Sequence, residues 1–130
     1  MAVVPWRRVT TPLDGAAVKL IVWENLQAGD TGQPHVVADY SDKSVQFHCQ
    51  SYGSGITIQG SIDPSELGSP DGSSIGAGWD TLADPQGNPL AGVTSDKLET
   101  LLEHPYMVRP SCSLGVTDAS VWLLLSSVRS

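Results

Sequence analysis

The feature that most constrains the fold is a pair of β-type patterns separated by glycines, from Val45 to Ile62. In residues 45–52, apolar and polar side chains alternate, a period of two that is typical of a strand with one buried face. Residues 56–62 are rich in isoleucine and threonine, whose branched Cβ atoms suit a pleated sheet. Gly53 and Gly55 separate the two runs and tolerate positive φ angles. The stretch therefore predicts a β-hairpin at the centre of an antiparallel sheet.

Length and composition favour a single all-β domain. A chain of 130 residues is expected to form one domain with its own core. The 13 glycines and 9 prolines indicate many turns. No apolar run approaches the roughly 18–20 residues that a membrane-spanning helix needs, so we expect no membrane partner. The predicted fold is an antiparallel β-sandwich or jelly roll over residues 18–130, preceded by an extended N-terminal arm over residues 1–17.

Several further runs predict strands, and one predicts a helix. The predicted strands occupy residues 18–25, 35–38, 79–82, 106–114 and 120–129. Both the first and the last carry apolar residues on both faces, which indicates central strands or a subunit contact. Pro110 predicts an edge position or a bulge. The predicted helix covers residues 94–103, with leucines spaced i, i+3, i+4 and a capping box formed by Asp96 and Glu99.

The charge distribution argues against nucleic-acid binding. The formal net charge is −7, and no lysine or arginine lies between Lys43 and Lys97. Such a surface repels phosphate, so we expect no nucleic-acid partner. The acidic residues of this region are interpreted as a solvated face rather than a calcium loop, because they lack regular odd-position spacing. The long Gly- and Ser-rich segment at residues 63–78 is predicted to be a loop.

No motif in the sequence predicts catalysis or a cofactor. The three histidines lack the spacing of metal ligands, and no serine occupies a nucleophile elbow. We therefore expect a protein that is not an enzyme, with no catalytic residue, no metal and no cofactor. Cys49 and Cys112 are predicted to be two core thiols in a reducing compartment, although the sequence leaves a bridge between them open.

The N-terminal arm contains the candidate partner-binding residues, Trp6, Arg7 and Arg8. Trp and Arg are the residue types most enriched at interface hot spots. The alternative is that this segment is a strap over the protein's own core, and the sequence does not decide between the two. Arg7 and Arg8 are not followed by an apolar stretch, so they do not predict a twin-arginine export signal.

The order of strand and turn motifs resembles that of small virion proteins of tailed bacteriophages, of the head decoration or cement type. The motifs that carry the resemblance are Asn25-Leu-Gln-Ala-Gly-Asp-Thr-Gly32, Asp42-Lys-Ser-Val-Gln-Phe47, Ile56-Thr-Ile-Gln-Gly-Ser-Ile-Asp63, Trp79-Asp-Thr-Leu-Ala-Asp-Pro-Gln-Gly-Asn88 and Tyr106-Met-Val-Arg-Pro110. The resemblance implies a structural protein on the outer surface of the phage head, assembled in the host cytoplasm. Its implied partners are the major capsid protein and further copies of itself, most simply in a homotrimer. The insertion at residues 64–78 departs from the compact turn expected there.

Two alternative interpretations remain open. Parts of the same motifs resemble discoidin-type carbohydrate-binding jelly rolls, in which Trp79 and Arg109 would contact a sugar. Against that interpretation, Trp79 also fits the position of a core aromatic. A structural component of the phage tail or neck is the other alternative.

Overall fold

The computed structural model describes residues 2–10, 18–64 and 78–127. In this part of the chain the regular elements are eleven β-strands. They are β1 (Val3–Val4), β2 (Trp6–Val9), β3 (Val18–Leu26), β4 (Thr31–Gly32), β5 (His35–Val36), β6 (Asp42–Ser51), β7 (Ile56–Ser61), β8 (Asp80–Thr81), β9 (Lys97–Thr100), β10 (Met107–Cys112) and β11 (Thr117–Ser126). The predicted long loop falls largely on residues 65–77, outside the described residues.

The strands form two sheets that pack face to face. The six-stranded sheet has the order β1-β4-β10-β7-β8, with β5 also paired to β10. The five-stranded sheet has the order β2-β3-β11-β6-β9. All pairs are antiparallel except β1 with β4. This arrangement confirms the predicted all-β sandwich.

The core lies between the two sheets and is built from alternate residues of the long strands. The five-stranded sheet contributes Ile21, Trp23, Val45, Phe47, Val121, Leu123 and Leu125. The six-stranded sheet and its loops contribute Ile56, Ile58, Leu82, Leu90, Val108 and Cys112. Because successive side chains of a strand point to opposite faces, the intervening residues of β3 and β11 lie on the outer face of the five-stranded sheet.

The predicted hairpin between residues 45 and 62 is wrong. β6 belongs to the five-stranded sheet and β7 to the six-stranded sheet, so the two strands do not pair. The connection between them crosses from one sheet to the other. Gly53 and Gly55 have φ angles of 51° and 100°, so the glycines do make a sharp turn as the sequence indicates. The pattern identified the strands and the turn correctly but not the partner of each strand.

The predicted helix at residues 94–103 is also wrong, because this segment contains β9, the edge strand next to β6. Of its three leucines only Leu101 is buried, whereas Leu98 is 65% exposed and Leu102 is 47% exposed. Asp96 does not cap a helix. Its carboxylate instead accepts hydrogen bonds from Tyr52 and His48 of the neighbouring strand region.

Pro110 lies within β10, an interior strand, and not at the predicted edge. It is paired with Ile58 of β7 on one side. On the other side β10 is paired with β5 at residues 107–108 and with β4 at Ser111. Pro110 therefore falls between these two short partner strands, where the missing N–H removes no ladder hydrogen bond.

The described part of the N-terminal arm is extended and is paired with the sandwich. β1 lies beside β4 at one edge of the six-stranded sheet, and β2 lies beside β3 at one edge of the five-stranded sheet. The arm thus links the same side of both sheets. Residues 11–17, the rest of the predicted arm, lie outside the described residues.

Candidate partner-binding site

The three predicted partner-binding residues all lie on β2 but do not share one face. β2 pairs with β3 so that Trp6 is opposite Trp23 and Arg7 is opposite Val22. Side chains alternate along the strand, so Trp6 and Arg8 lie on the core side and Arg7 on the outer side. The structure therefore brings the three residues to one sheet edge, with Arg7 and Arg8 exposed and Trp6 half-buried.

Trp6 makes its main contacts within the protein. Its ring meets the His35 ring edge to face, with the centroids 4.4 Å apart and an interplanar angle of 79°. The ammonium of Lys19 lies 5.2 Å from the indole centroid, within range of a cation–π interaction. This packing matches the strap interpretation of the arm, which the sequence left open.

Arg7 forms an exposed ion pair with Glu24 of β3, through a hydrogen bond from Nε to the carboxylate. The bond raises the pKa of Arg7 and lowers the pKa of Glu24, because each charge stabilises the other. Their side chains are 56% and 42% exposed, so solvent screens the pair and its contribution to stability is small. The pair orients the guanidinium at the outer edge of β2.

The arm edge is the most cationic surface among the described residues. It is formed by Arg7 and Arg8 of β2 and Lys19 of β3. Two other cationic residues, Lys43 and Arg109, are buried, with 1% and 6% of their surface exposed. Lys97 lies on β9, at the opposite edge of the same sheet. An acidic protein therefore presents positive charge along one edge strand.

A shallow cleft lies beside the arm edge. It has a volume of about 360 Å³, comparable to the 340 Å³ of a second cleft near residues 60–62. The residues that line it are Val4, Pro5, Trp6, Arg7, Val22, Glu24 and Asn25. An apolar floor with one ion pair at the rim suits a protein side chain better than a charged small ligand.

His35 is buried beneath Trp6, with 3% of its surface exposed. Neither ring nitrogen has a hydrogen-bond partner among the described residues. Burial, together with the positive charges of Lys19 and Arg8, lowers the pKa of His35 to about 4. The imidazole is therefore neutral at pH 7, which the sequence did not predict.

Among the residues that the structure describes, the remaining chemistry-bearing side chains do not form a recognisable catalytic group. His48 and Tyr52 both bond to Asp96, while His104 lies 3.2 Å from the amine of Lys43. The thiol of Cys49 contacts backbone carbonyl oxygens and no base. Among the described residues, no three His, Cys, Asp or Glu side chains are grouped as metal ligands.

The two cysteines are free thiols, Cys112 buried in the core and Cys49 half-buried against it. Burial raises the pKa of Cys112 to about 12, with smaller contributions from Asp30 and Cys49. Cys112 is thus an unreactive neutral thiol at pH 7.

The residues of the carbohydrate interpretation do lie together. The guanidinium of Arg109 is 4.2 Å from the ring centroid of Trp79, and its Nε donates to Gln59 Oε1 at 2.9 Å. One face of the indole is therefore covered by the protein's own arginine. A sugar would have to stack on the other face.

Sequence reasoning identified only part of one surface, the outer face of the five-stranded sheet. Leu98, which the predicted helix placed on a buried stripe, lies on that face together with Trp122 and Leu124. The double-sided apolar pattern of β11 was the signal that indicated it.

No protein-family model matches this chain. No curated protein matches it by sequence either. Among solved structures, the chain is similar to a cupin domain from Bordetella pertussis Tohama I, at 12% identity and a TM-score of 0.42, over 99% of both chains. It is also similar to the K1 cleaved adhesin domain of Lys-gingipain from Porphyromonas gingivalis W83. That match has 10% identity and a TM-score of 0.34, and covers 96% of this chain and 91% of the other. Likenesses this weak carry no argument about function.

No helix among the described residues is long and apolar enough to cross a membrane.

Proposed function

We propose that this protein is a non-enzymatic structural protein that decorates the outside of a tailed-phage head. In this proposal the arm edge, formed by Arg7, Arg8 and Lys19, contacts acidic groups on the major capsid protein. The observation that carries the proposal is the concentration of three cationic side chains, Arg7 and Arg8 exposed and Lys19 half-buried, on one edge of a chain whose net charge is −7. The sequence resemblance to decoration proteins supplies the identity of the partner.

Arginine suits this role because its planar guanidinium donates several hydrogen bonds in a fixed geometry to carboxylates. β2 is also the outermost described strand of its sheet, so a partner can approach it from the side. The acidic remainder of the chain favours a position outside the shell, since packaged DNA would repel it.

The proposal of a non-enzymatic role rests on the arrangement of the described residues. Each of the three histidines is engaged elsewhere, in packing with Trp6, in a bond to Asp96, or beside Lys43. None of them contacts a serine or cysteine nucleophile in the described hydrogen bonds. The cleft near residues 60–62 does combine Ser61 with His104 and Glu103 in its lining. The Ser61 hydroxyl accepts a hydrogen bond from the backbone N–H of Asp63, however, and the His104 ring lies 3.2 Å from Lys43 Nζ.

The test is re-decoration of stripped heads of the phage that carries the gene, with occupancy measured against protein concentration. Arg8→Glu and Lys97→Glu each change the net charge by the same amount, at opposite edges of one sheet. We expect Arg8→Glu to weaken attachment at least tenfold, on the order of 1.4 kcal/mol, and Lys97→Glu to have little effect. Arg7→Glu should behave like Arg8→Glu, and added salt should weaken wild-type attachment.

Equal losses from Arg8→Glu and Lys97→Glu would show that only the overall charge matters, and the arm edge would then not be the contact. Absence of any attachment by folded wild-type protein would reject the decoration role itself. Thermal melting of each variant establishes that it is folded.

The carbohydrate interpretation has one observation in its favour, the adjacent Trp79 and Arg109. A glycan array tests it directly. Saturable sugar binding that is lost in Trp79→Ala and kept in Arg8→Glu would replace the decoration role with a carbohydrate-binding one.

A further inference from the structure

The outer face of the five-stranded sheet carries two apolar rows that cross adjacent strands. The first row crosses β2, β3 and β11 at Val9, Leu20 and Leu124. The second row crosses β3, β11, β6 and β9 at Val22, Trp122, Gln46 and Leu98, and Gln46 is its polar member. We call these two rows the outer apolar face. No other described strand belongs to a layer on this side.

This face is exposed where a partner would contact it. Leu98 is 65% exposed and Leu124 is 42% exposed, while Trp122 and Leu20 are half-buried beside them. A cleft of about 280 Å³ lies among these residues. Its complete lining is Leu20, Ser44, Gln46, Leu98, Trp122 and Leu124, none of which is ionisable.

The charged groups that border the outer apolar face are bonded to neighbours within the chain. Arg7 pairs with Glu24 at one margin, and Asp96 accepts bonds from His48 and Tyr52 at the other. Asp42, at the start of β6, lies at the periphery. In a chain of net charge −7 this is the described face that a second copy can approach with the least repulsion.

The size of the face suits a stable contact. β2 and β9 have four residues each, and the three strands between them have nine or ten. At about 4.8 Å between strands and about 3.3 Å per residue, the face covers roughly 590 Å². Two facing copies would therefore cover about 1,200 Å² in all, the lower end of the range for standard protein interfaces.

We infer that two copies of this chain associate through the outer apolar face about a two-fold axis. Such a contact packs sheet on sheet, the same geometry that forms the core of each sandwich. It is self-complementary, because each copy offers exposed leucines and a cleft beside Trp122 to the other. This inference goes beyond the proposed function, since it assigns a different surface and a partner that is a copy of this chain. It also favours a dimer where the phage resemblance implies a trimer.

The first test is the mass of the purified protein in solution, by sedimentation and light scattering over a range of concentrations. Leu98→Glu places a charge in the outer apolar face, and Leu114→Glu is its matched control at a leucine that is 79% exposed elsewhere. We expect a dimer for wild-type and Leu114→Glu, and at least a tenfold weaker dimer for Leu98→Glu. Because Leu98 is on the surface, its variant should still unfold in a single cooperative thermal transition, which establishes that it is folded.

The second test asks whether the contact is two-fold. Gln46→Cys places a thiol next to Trp122 near the centre of the face, where a two-fold axis brings it close to its own copy. A covalent dimer should form under mild oxidation with a small disulfide such as oxidised glutathione. Leu114→Cys is the control and should form no covalent dimer under the same conditions.

A wild-type protein that stays monomeric at high concentration would overturn the inference, as would a trimer or a dimer that Leu98→Glu leaves intact. Shell attachment is measured separately with Arg8→Glu, so failure of one proposal is distinguishable from failure of the other.

Discussion

At the residue scale, the most consequential side chain is the buried neutral His35. Its neighbours are Trp6 of β2, Lys19 of β3 and Val108 of β10, with the positive charge of Arg8 nearby. A proton on this ring would add a charge to a site that already holds two cations and little water. Sequence reasoning placed His35 on a short extended segment, but its burial depends on Trp6, whose contact with it arises only in the folded chain.

We predict that the protein loses stability as the pH falls from about 6.5 to about 4. The folded pKa of His35 is about 4, below the usual 6.5 of the unfolded chain, so over this range the unfolded state binds the extra proton. Full titration would lower the free energy of unfolding by on the order of 3 kcal/mol. Urea unfolding at several pH values measures it.

The pH effect should largely disappear in His35→Phe, which retains an aromatic ring against Trp6. His48→Gln, at an exposed position, is the control and should keep it. A stability profile that is the same in His35→Phe and wild type would assign the pH dependence to other groups.

At the element scale, the sequence predicted where most strands lie and failed on how they pair. The alternation in β6 and the branched residues of β7 are local signals, and both strands exist. Partner choice depends on residues far apart in the chain, such as the pairing of β6 with β11 and of β7 with β10. A glycine-rich turn permits both a hairpin and a crossing between sheets, so its composition does not distinguish them.

The predicted helix failed for a related reason. Three leucines at helical spacing also fit a strand followed by a turn when only one of them has to be buried. The edge of β6 offered residues 97–100 a ladder of backbone hydrogen bonds, and that tertiary contact outweighed a weak helical preference. Because of the same error, the sequence analysis placed Leu98 on a buried helical stripe and did not assign it to the outer apolar face.

The turn between β6 and β7 gives a prediction about glycine. A Cβ on Gly55, at φ 100°, would lie 2.4 Å from the carbonyl carbon of Gly92, whereas a Cβ on Gly87, at φ 85°, meets nothing within 4 Å. Both alanine variants should be destabilised by about 1 kcal/mol, because an L-residue disfavours positive φ. Only Gly55→Ala adds a backbone clash. We expect Gly55→Ala to cost roughly 3 kcal/mol in urea unfolding. Equal costs for the two variants would mean that the turn relaxes freely.

At the scale of the whole molecule, the N-terminal segment is one of the connections between the two sheets, because it contributes a strand to each. β1 extends the six-stranded sheet and β2 extends the five-stranded sheet, with Pro5 between them. The backbone N–H of Ala2 also bonds to Asp30 Oδ1 at 3.0 Å. The sequence identified the unusual composition of this segment, but only the strand pairing shows that it lies against the body of the protein.

The last prediction follows from that pairing. Deleting residues 1–10 should lower the free energy of unfolding by on the order of 3 kcal/mol, because it exposes His35 and removes the strand hydrogen bonds of β1 and β2. Trp6→Ala should reproduce a large part of this loss, since the indole covers the imidazole at 4.4 Å. Arg8→Glu should cost far less, because its side chain is exposed. Thermal and urea unfolding of the three variants measure these differences. If the deletion left the melting temperature unchanged, residues 2–9 would contribute nothing to the stability of the free protein. They would then act only in attachment to a partner.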